Sequence, residues 1–329
     1  MSDILEFLKN TFVQRTPHMR EIGITVTAID TARGSMVLPP RPDWMGDPGR
    51  GLMHPGAITV LADSCCGLAV GAALEKDTTY ATLDLRMDYL RPATPERAVH
   101  CDAHCYRLTR SVAFVRADVY QEGDTTQPVA TAQATFMMST PAGNRPAMPE
   151  GKVDAQAAST MTAAAAHAVA TLPVGGRPAS APAAAAAQAP WRAPTASDAA
   201  MPQGAIPYLD YLGIRVAPDP QQPLFRMPFD PKLIGNPFLP ALHGGVVAGF
   251  AETAAILHLR QTLGGAKLPK GIDFSLDYLR AGRPEETFAA CEVVRVGARV
   301  ALVHVRLWQR SPDYPIAVAR AHFLLSPLD

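Results

Sequence analysis

The feature of this sequence that most constrains its fold is an internal duplication. Segment 241–252, ALHGGVVAGFAE, corresponds to segment 52–63, LMHPGAITVLAD. The histidines of the two segments lie 189 positions apart, and so do the acidic residues that end them. Self-similarity at a fixed spacing predicts two copies of one structural unit.

The same register continues well beyond these segments. At the offset of 189, LDLRMDYLR at 83–91 matches IDFSLDYLR at 272–280. Later matches are 115–121 with 303–309 at an offset of 188, and 129–139 with 316–326 at an offset of 187. Two shortened turns explain the small losses of register, so the whole unit is duplicated.

Each copy shows the same order of predicted elements. A short helix comes first, at 3–13 and at 207–212, and a strand and an extended loop then lead to the histidine turn. Long helices follow at 57–74 and 246–263; they are apolar nearly all round, which is typical of a buried helix. The predicted strands are 83–89, 99–107, 112–121 and 129–138 in copy one, and 272–278, 287–296, 300–309 and 315–325 in copy two. This order predicts an α+β fold in which an antiparallel meander wraps around one long helix.

Composition divides the chain into two units and a connection. The stretch between the copies is rich in Ala and Pro and has few large apolar residues to bury, which is typical of a linker. We therefore predict unit 1 at 1–148, a linker at 149–202 and unit 2 at 203–329.

Charge and cysteine usage exclude several classes of protein. The 329 residues include 30 basic and 30 acidic side chains, so there is no basic surface for nucleic acid. The N-terminus lacks a basic segment followed by an apolar core, and the apolar run 58–74 contains Asp63 and looks too short to cross a bilayer. Five cysteines, an odd number, fit reduced thiols. We expect a cytoplasmic protein without membrane or nucleic-acid partners.

A metal site is not predicted. The segment His100-Cys101-Asp102-Ala103-His104-Cys105 contains two histidines and two cysteines. In a strand the cysteines face one side and the histidines the other, so these four side chains do not converge on one ion. Core packing is the better interpretation of Cys101 and Cys105, and we expect no metal and no cofactor.

The turn of the second copy is suited to bind a negatively charged oxygen. Gly244 and Gly245 open a helix, where the first N–H groups have no partner within the helix and the helix dipole adds positive potential. Such donors can stabilise an oxygen that becomes negative during acyl transfer. Alone the motif is weak, because paired glycines before a helix more often serve packing or capping.

The two acidic residues are the second part of the pattern. Asp63 and Glu252 lie inside apolar helices, where a carboxylate is costly unless it is paired. Each follows its histidine by nine positions, about 13 Å along a helix, so it cannot easily reach its own helix N-terminus. We therefore predict that the acid of one copy works with the turn of the other, across an interface between the copies.

These residues resemble the motifs of the hotdog-fold acyl-CoA thioesterases, and specifically the branch of the phenylacetate-pathway and 4-hydroxybenzoyl-CoA thioesterases. The resemblance covers about 25–140 and 213–327. It implies two tandem hotdog units with active sites between them, and an oxyanion N–H from the second glycine of His-Gly-Gly. It also implies a carboxylate from the opposite unit, an Asn or Gln before the turn, and a Ser or Thr before the strand that follows the helix.

One composite site matches this pattern completely. The second copy supplies Asn236, His243 and Gly245, and the first copy supplies Asp63 and Thr82. The resemblance implies hydrolysis of an acyl-CoA thioester there. The carbonyl oxygen would bind Gly245 N–H and Asn236, Thr82 would position water, and His243 would fix the turn rather than shuttle protons. Asp63 would act either as general base or as nucleophile.

The other composite site departs from the pattern. Pro55 replaces the first glycine of the turn and has no N–H, and Gly271 replaces the hydroxyl residue before the strand. We therefore expect one competent site per chain and a second, degraded one. The residues of that second set are Asp47, His54, Gly56 and Glu252.

Two further candidate residues are arginines near strand ends. Arg91 and Arg280 could bind the phosphates of CoA, although surface salt bridges are the favoured role. The departures in the second set leave a non-catalytic acyl-CoA-binding protein as the alternative function. A hotdog hydratase is disfavoured by the spacing of histidine and acid. Further pairing into a homodimer of tandem chains is possible for such a protein.

Overall fold

The computed structural model describes most of both repeats. The described residues are 3–74, 78–138, 191–195, 206–217, 224–236, 240–264 and 267–327. The two repeats belong to one compact unit. Most of the predicted linker 149–202, and both of its predicted boundaries, lie outside the described residues.

The elements of the two repeats follow in the same order. The first repeat contains α1 (Asp3–Arg15), α2 (Pro17–Ile22), β1 (Thr25–Asp30), β2 (Arg33–Leu38), β3 (Met45–Asp47), β4 (Leu52–Met53), α3 (Pro55–Ala73), β5 (Tyr80–Tyr89), β6 (Val99–Leu108), β7 (Val112–Gln121) and β8 (Ala130–Met138). The second repeat contains α4 (Pro207–Leu212), β9 (Arg215–Ala217), β10 (Leu224–Met227), β11 (Ile234–Asn236), β12 (Ala241–Leu242), α5 (Gly244–Thr262), β13 (Lys267–Tyr278), β14 (Thr287–Val296), β15 (Val300–Trp308) and β16 (Ala317–Pro327). The predicted long helices and later strands are confirmed to within a few residues.

The repeats share one antiparallel sheet of twelve strands, in the order β1-β2-β6-β7-β8-β5-β13-β16-β15-β14-β10-β9. Strand order is therefore the same within each repeat. At the centre β5 pairs with β13, and Arg86 lies opposite its own repeat counterpart Ser275. The repeats are thus related by an approximate two-fold axis through this pair, and the predicted α+β class is confirmed.

The predicted simple meander is wrong at one strand. β5 pairs with β8, and not with β6, which follows it in sequence. The connection between β5 and β6 crosses three strand spacings, about 14 Å, which a short loop can span. Because β8 covers only one edge of β5, the other edge is free to pair with β13 and join the repeats.

The long helices α3 and α5 form the core, because each packs against the sheet and against the other helix. Residues 56–72 of α3 are all buried. α3 has the length and apolar composition of a membrane span, with a mean hydropathy of 1.6, so the argument that this run is too short was wrong. However, 94% of the apolar stretch of α3 is buried inside the protein, as expected for a core helix.

The N-terminal helix requires a further correction. The counterpart of α4 is α2 and not the predicted helix at 3–13. α2 and α4 both begin with proline and end at a left-handed glycine, Gly23 with φ 73° and Gly213 with φ 67°. α1 is therefore an additional element that precedes the first repeat, and no described helix of the second repeat corresponds to it.

Candidate functional site

The carboxylate of Asp63 lies against the turn of the other repeat. Its Oδ2 accepts a hydrogen bond from Gly245 N at 2.7 Å, and its Oδ1 accepts one from Thr82 Oγ1 at 3.0 Å. The residue is 6% exposed. Because a buried carboxylate needs donors, these two hydrogen bonds explain how α3 holds an acid in an apolar core. The structure thus brings Asp63, Thr82 and Gly245 together from two repeats.

His243 caps the N-terminus of α5. Its Nδ1 accepts a hydrogen bond from Gly245 N at 3.1 Å, and its Nε2 lies 3.3 Å from Ser64 Oγ. Ser64 donates its own proton to Val60 O at 2.7 Å, so Nε2 of the histidine is the donor to Ser64. Burial lowers the pKa of His243, and the charge of Asp63 opposes this only in part. The ring is neutral, and both of its nitrogens serve to position the turn.

Close approach of the two helices explains the paired glycines. A Cβ on Gly245 would lie 2.6 Å from Val60 Cα of α3. A Cβ on Gly244 would lie 2.9 Å from Asp63 Oδ2. The Val60 backbone cannot move away, and Asp63 Oδ2 could make room only by leaving the Gly245 amide, so a side chain at either position would separate the acid from the amide.

Tyr278 is a site residue that sequence analysis did not identify as functional. Its hydroxyl donates a hydrogen bond to Gly244 O at 2.8 Å. Burial is the main cause of the raised pKa of this phenol, and the charges of Asp63 and Asp84 add to it, so the hydroxyl remains protonated. The signal was present in the repeat, because Tyr89 is its counterpart, but nothing local connects Tyr278 to the turn.

His18 is a second residue that sequence analysis missed. Its ring centroid lies 5.3 Å from that of His243, and its Nδ1 bonds to Lys232 O at 3.0 Å. Burial and the neighbouring His243 lower the pKa of His18. It therefore packs as a neutral ring behind the turn. Its position more than 200 residues before His243 explains why spacing alone could not reveal it.

A cavity of about 520 Å³ joins these residues to the surface. Asp63, Thr82, His243 and Gly244 line it, and Asn236 at the end of β11 lines it as well. Its volume is within the usual range for sites that bind small molecules. Four of the five residues predicted for the complete composite site therefore line one cavity, and the fifth, Gly245, reaches it through its hydrogen bond to Asp63.

The two predicted arginines have different positions. Arg280 lines the cavity, and its Nη1 donates to Pro315 O at 2.6 Å. Arg91 is not among the cavity residues and forms an ion pair of 3.0 Å with Asp124. The surface ion pair is thus the better description of Arg91, because the pair occupies its charge away from the cavity.

The second set of residues is arranged differently. Gly56 N donates to His54 Nδ1 at 3.0 Å, while Glu252 accepts hydrogen bonds from Thr59 and Tyr89. Burial raises the pKa of Glu252 to about 8, although these two hydrogen bonds oppose the shift. Glu252 is therefore protonated at neutral pH. The Gly56 amide donates to His54 and not to Glu252, unlike Gly245, which donates to Asp63.

Large side chains occupy the space beside Glu252 that remains open beside Asp63. Tyr208, the counterpart of His18, stacks on His54 with ring centroids 4.3 Å apart. Its hydroxyl lies 2.8 Å from the point where Gly56 would carry a Cβ. On α5, Ile256 and Arg260 stand where α3 has Gly67 and Gly71.

An ion pair adds to this packing. Arg260 Nη2 lies 3.5 Å from Asp47 Oδ2, and both side chains are largely buried. Asp47 is the residue that stands in place of Asn236. It is therefore committed to a charge partner, which sequence analysis did not foresee because Arg260 is far from Asp47 in sequence.

Comparison with known proteins agrees with this architecture. The sequence profile of the family described as "Thioesterase superfamily" matches residues 50–127 and 239–316, one match in each repeat. A hot dog fold protein from Alicyclobacillus acidocaldarius covers 89% of this chain and is itself covered over 94%, with a TM-score of 0.55 at 11% identity. The acyl-CoA thioesterase II TesB2 from Mycobacterium marinum covers 92%, is itself covered over 95%, and has a TM-score of 0.52 at 12% identity.

A relative of known name matches part of the chain. The medium/long-chain acyl-CoA thioesterase YigI of Escherichia coli K12 is 26% identical over 147 residues, which is 41% of this chain and 93% of that protein. Each repeat of the present chain therefore matches the thioesterase superfamily in sequence, and the architecture of the two repeats is the hotdog fold. The chain is a thioester hydrolase built from two tandem hotdog units.

Proposed function

We propose that this chain hydrolyses acyl-CoA thioesters at one composite site, made by Asp63 and Thr82 of the first repeat and the Gly245 turn of the second. The observation that carries the proposal is the contact of 2.7 Å between the Asp63 carboxylate and the Gly245 amide. The name of the Escherichia coli relative supports acyl-CoA as the substrate class.

The carboxylate and the thioester carbonyl compete for one donor. Gly245 N–H is bonded to Asp63 Oδ2 and is also close to His243 Nδ1. For the carbonyl oxygen to use this N–H, Oδ2 must turn away while Oδ1 stays bonded to Thr82. Once released from the amide, Oδ2 would be available to act on the carbonyl carbon or on a water beside it, and Asn236, which lines the same cavity, would give the oxygen a second donor.

Two routes lead from this arrangement to the products. As general base, Asp63 removes a proton from water, the hydroxide adds to the carbonyl carbon, and the CoA thiolate leaves and takes up the proton. As nucleophile, Asp63 displaces the thiolate and forms an anhydride, which water then hydrolyses. In both routes the Gly245 N–H stabilises the negative oxygen. This mechanism is the one that the resemblance to the phenylacetate-pathway and 4-hydroxybenzoyl-CoA thioesterases implies, and we propose it for this chain.

A panel of CoA thioesters tests the proposal directly. The purified full chain is incubated with acetyl-, butyryl-, octanoyl-, decanoyl-, palmitoyl-, phenylacetyl- and 4-hydroxybenzoyl-CoA, and released thiol is measured. We expect turnover of at least one of them that depends on Asp63. Tight binding of acyl-CoA without turnover would instead establish the alternative, a non-catalytic binding protein.

Thr82→Val is expected to lower kcat by about tenfold to a hundredfold. The variant removes one of two donors to a buried carboxylate, a contact worth about 1.5–3 kcal/mol when the partner is charged. Thr59→Val is the matched control, because it removes the hydroxyl of the first repeat that donates to Glu252 of the second repeat. Steady-state kinetics on the best thioester checks both variants, and an equal loss in the two would contradict the role given to Thr82.

Compartment and assembly remain proposals. Four cysteines are buried free thiols and Cys291 is a partly buried one, which fits the reducing cytoplasm. Pairing of tandem chains into a homodimer stays a prediction that the mass of the protein in solution can test.

A further inference from the structure

The face of α3 that continues from Asp63 is unusually open. Gly67 and Gly71 follow Asp63 by one and two helical turns, so the three residues share one face of the helix. On α5 the same face has Glu252, Ile256 and Arg260. Among the repeats, only the first therefore has a helix face without side chains beyond its acid.

α1 packs on this open face. A Cβ on Gly67 would lie 3.6 Å from Phe12 Cζ, and a Cβ on Gly71 would lie 3.5 Å from Leu8 Cδ2. Tyr80 closes the other flank, because its hydroxyl donates a hydrogen bond to Gly67 O at 2.8 Å. The two α1 side chains and the tyrosine are all part of the cavity wall.

The two sides of the cavity differ in character. On the α1 side most lining residues are apolar, among them Phe7, Leu8, Phe12, Leu74, Phe136 and Met137. Thr11, Arg15 and Thr16 also line this side, and the Arg15 guanidinium lies over the Phe7 ring. On the β13 side the wall contains Tyr278, the cationic Arg280 and the small residues Ala281 and Gly282. The Asp63 carboxylate lies beside Gly244, to which Tyr278 bonds, and one helical turn before Gly67, on which Phe12 packs. An acyl-CoA has the same asymmetry, with an apolar chain on one side of the thioester and an anionic coenzyme on the other.

We propose that the α1 side of the cavity holds the acyl chain, and that Leu8 and Phe12, seated on Gly71 and Gly67, set the longest chain that the enzyme accepts. This inference rests on the proposed acyl-CoA thioesterase function. Along the α3 axis, Asp63 and Gly71 are about 12 Å apart, which corresponds to a linear chain of medium length. The preferred substrates are therefore octanoyl- to lauroyl-CoA, with the coenzyme on the Arg280 side.

The energetic consequence is a steep dependence on chain length. Each methylene moved from water into an apolar site contributes enough to raise kcat/KM by about fourfold. We expect kcat/KM to rise in this way from butyryl- to decanoyl-CoA. Beyond lauroyl-CoA it should level off or fall, because Leu8 and Phe12 block further burial of the chain.

Variants of α1 and α3 test the proposal in opposite directions. Leu8→Ala and Phe12→Ala enlarge the far part of the cavity, so the optimum should move to longer chains and kcat/KM for palmitoyl-CoA should rise about tenfold relative to octanoyl-CoA. Gly67→Ala should move the optimum to shorter chains; its new Cβ makes only ordinary contacts, so folding is preserved. Asn10→Ala, on the exposed side of α1, is the matched control and should leave the profile unchanged.

Two outcomes separate this inference from the proposed function. If the wild type hydrolyses acyl-CoA but Leu8→Ala, Phe12→Ala and Gly67→Ala keep the chain-length profile of Asn10→Ala, the α1 side is not the acyl site and the inference fails. If no thioester is hydrolysed, the proposed function fails. Calorimetric titration with decanoate then decides the binding question, and a Kd unchanged by Gly67→Ala and Phe12→Ala overturns the inference.

Discussion

Asp63→Asn is expected to lower kcat/KM for acyl-CoA thioesters by about a thousandfold. The amide keeps the shape of the side chain, and its oxygen can still accept from Gly245 N–H, so the fold should survive. It can neither take a proton from water nor attack a carbonyl, and loss of general base catalysis alone typically costs about 10²–10⁴ in rate.

The matched comparison is Glu252→Gln at the corresponding position of the second repeat. Glu252 bonds to Thr59 and Tyr89 and does not contact a turn amide, so we expect the variant to keep most of the wild-type activity. Steady-state kinetics on the best substrate of the panel measures both. Equal losses from the two variants would show that the asymmetry between the repeats is not functional.

Glu252→Gln has its main effect on stability, and this effect depends on pH. Burial raises the pKa of Glu252 from its ordinary value of 4.5 to about 8 in the folded protein. Between these values the folded chain holds a proton that the unfolded chain has lost. The free energy of unfolding therefore falls as the pH rises from about 4.5 to about 8, and the loss is complete above that range.

Glutamine is a neutral replacement that cannot lose a proton, so the variant should lack this contribution to the slope. By about pH 9 it should be more stable than the wild type by an amount on the order of 4 kcal/mol, and near pH 4 the two should differ little. Urea unfolding of both proteins across this range measures the difference. Glu96→Gln, at an exposed position, is the control, and a wild-type slope as flat as that of Glu252→Gln would contradict the account.

Much of the fold was predictable because duplication supplies a second, independent record of each element. The offset of 189 identified the buried helices and the later strands, and the nine residues between histidine and acid indicated that one repeat's acid pairs with the other's turn. The place of β5 was not predictable, because strand order depends on how a connection crosses the sheet. The true partner of α4 was obscured by α1, which is the longer and more conspicuous helix.

The candidate site was predictable only where a motif carried it. Asp63, Thr82 and Gly245 stand in a recognisable pattern and meet in the structure. The filling of the second site depends on Tyr208, Ile256 and Arg260, and no local pattern connects these side chains to Glu252. Their effect follows from volume and charge at contacts between distant segments, which only the folded arrangement brings together.

The most direct test of the central claim, that one repeat's acid works with the other repeat's amide, is a crystal structure with a ketone analogue of decanoyl-CoA. We expect the ketone oxygen within hydrogen-bond distance of Gly245 N, about 2.9 Å, with Asp63 beside the carbonyl carbon and the chain along α1. A ketone bound at Gly56 beside Glu252, or lying away from both turns, would contradict it.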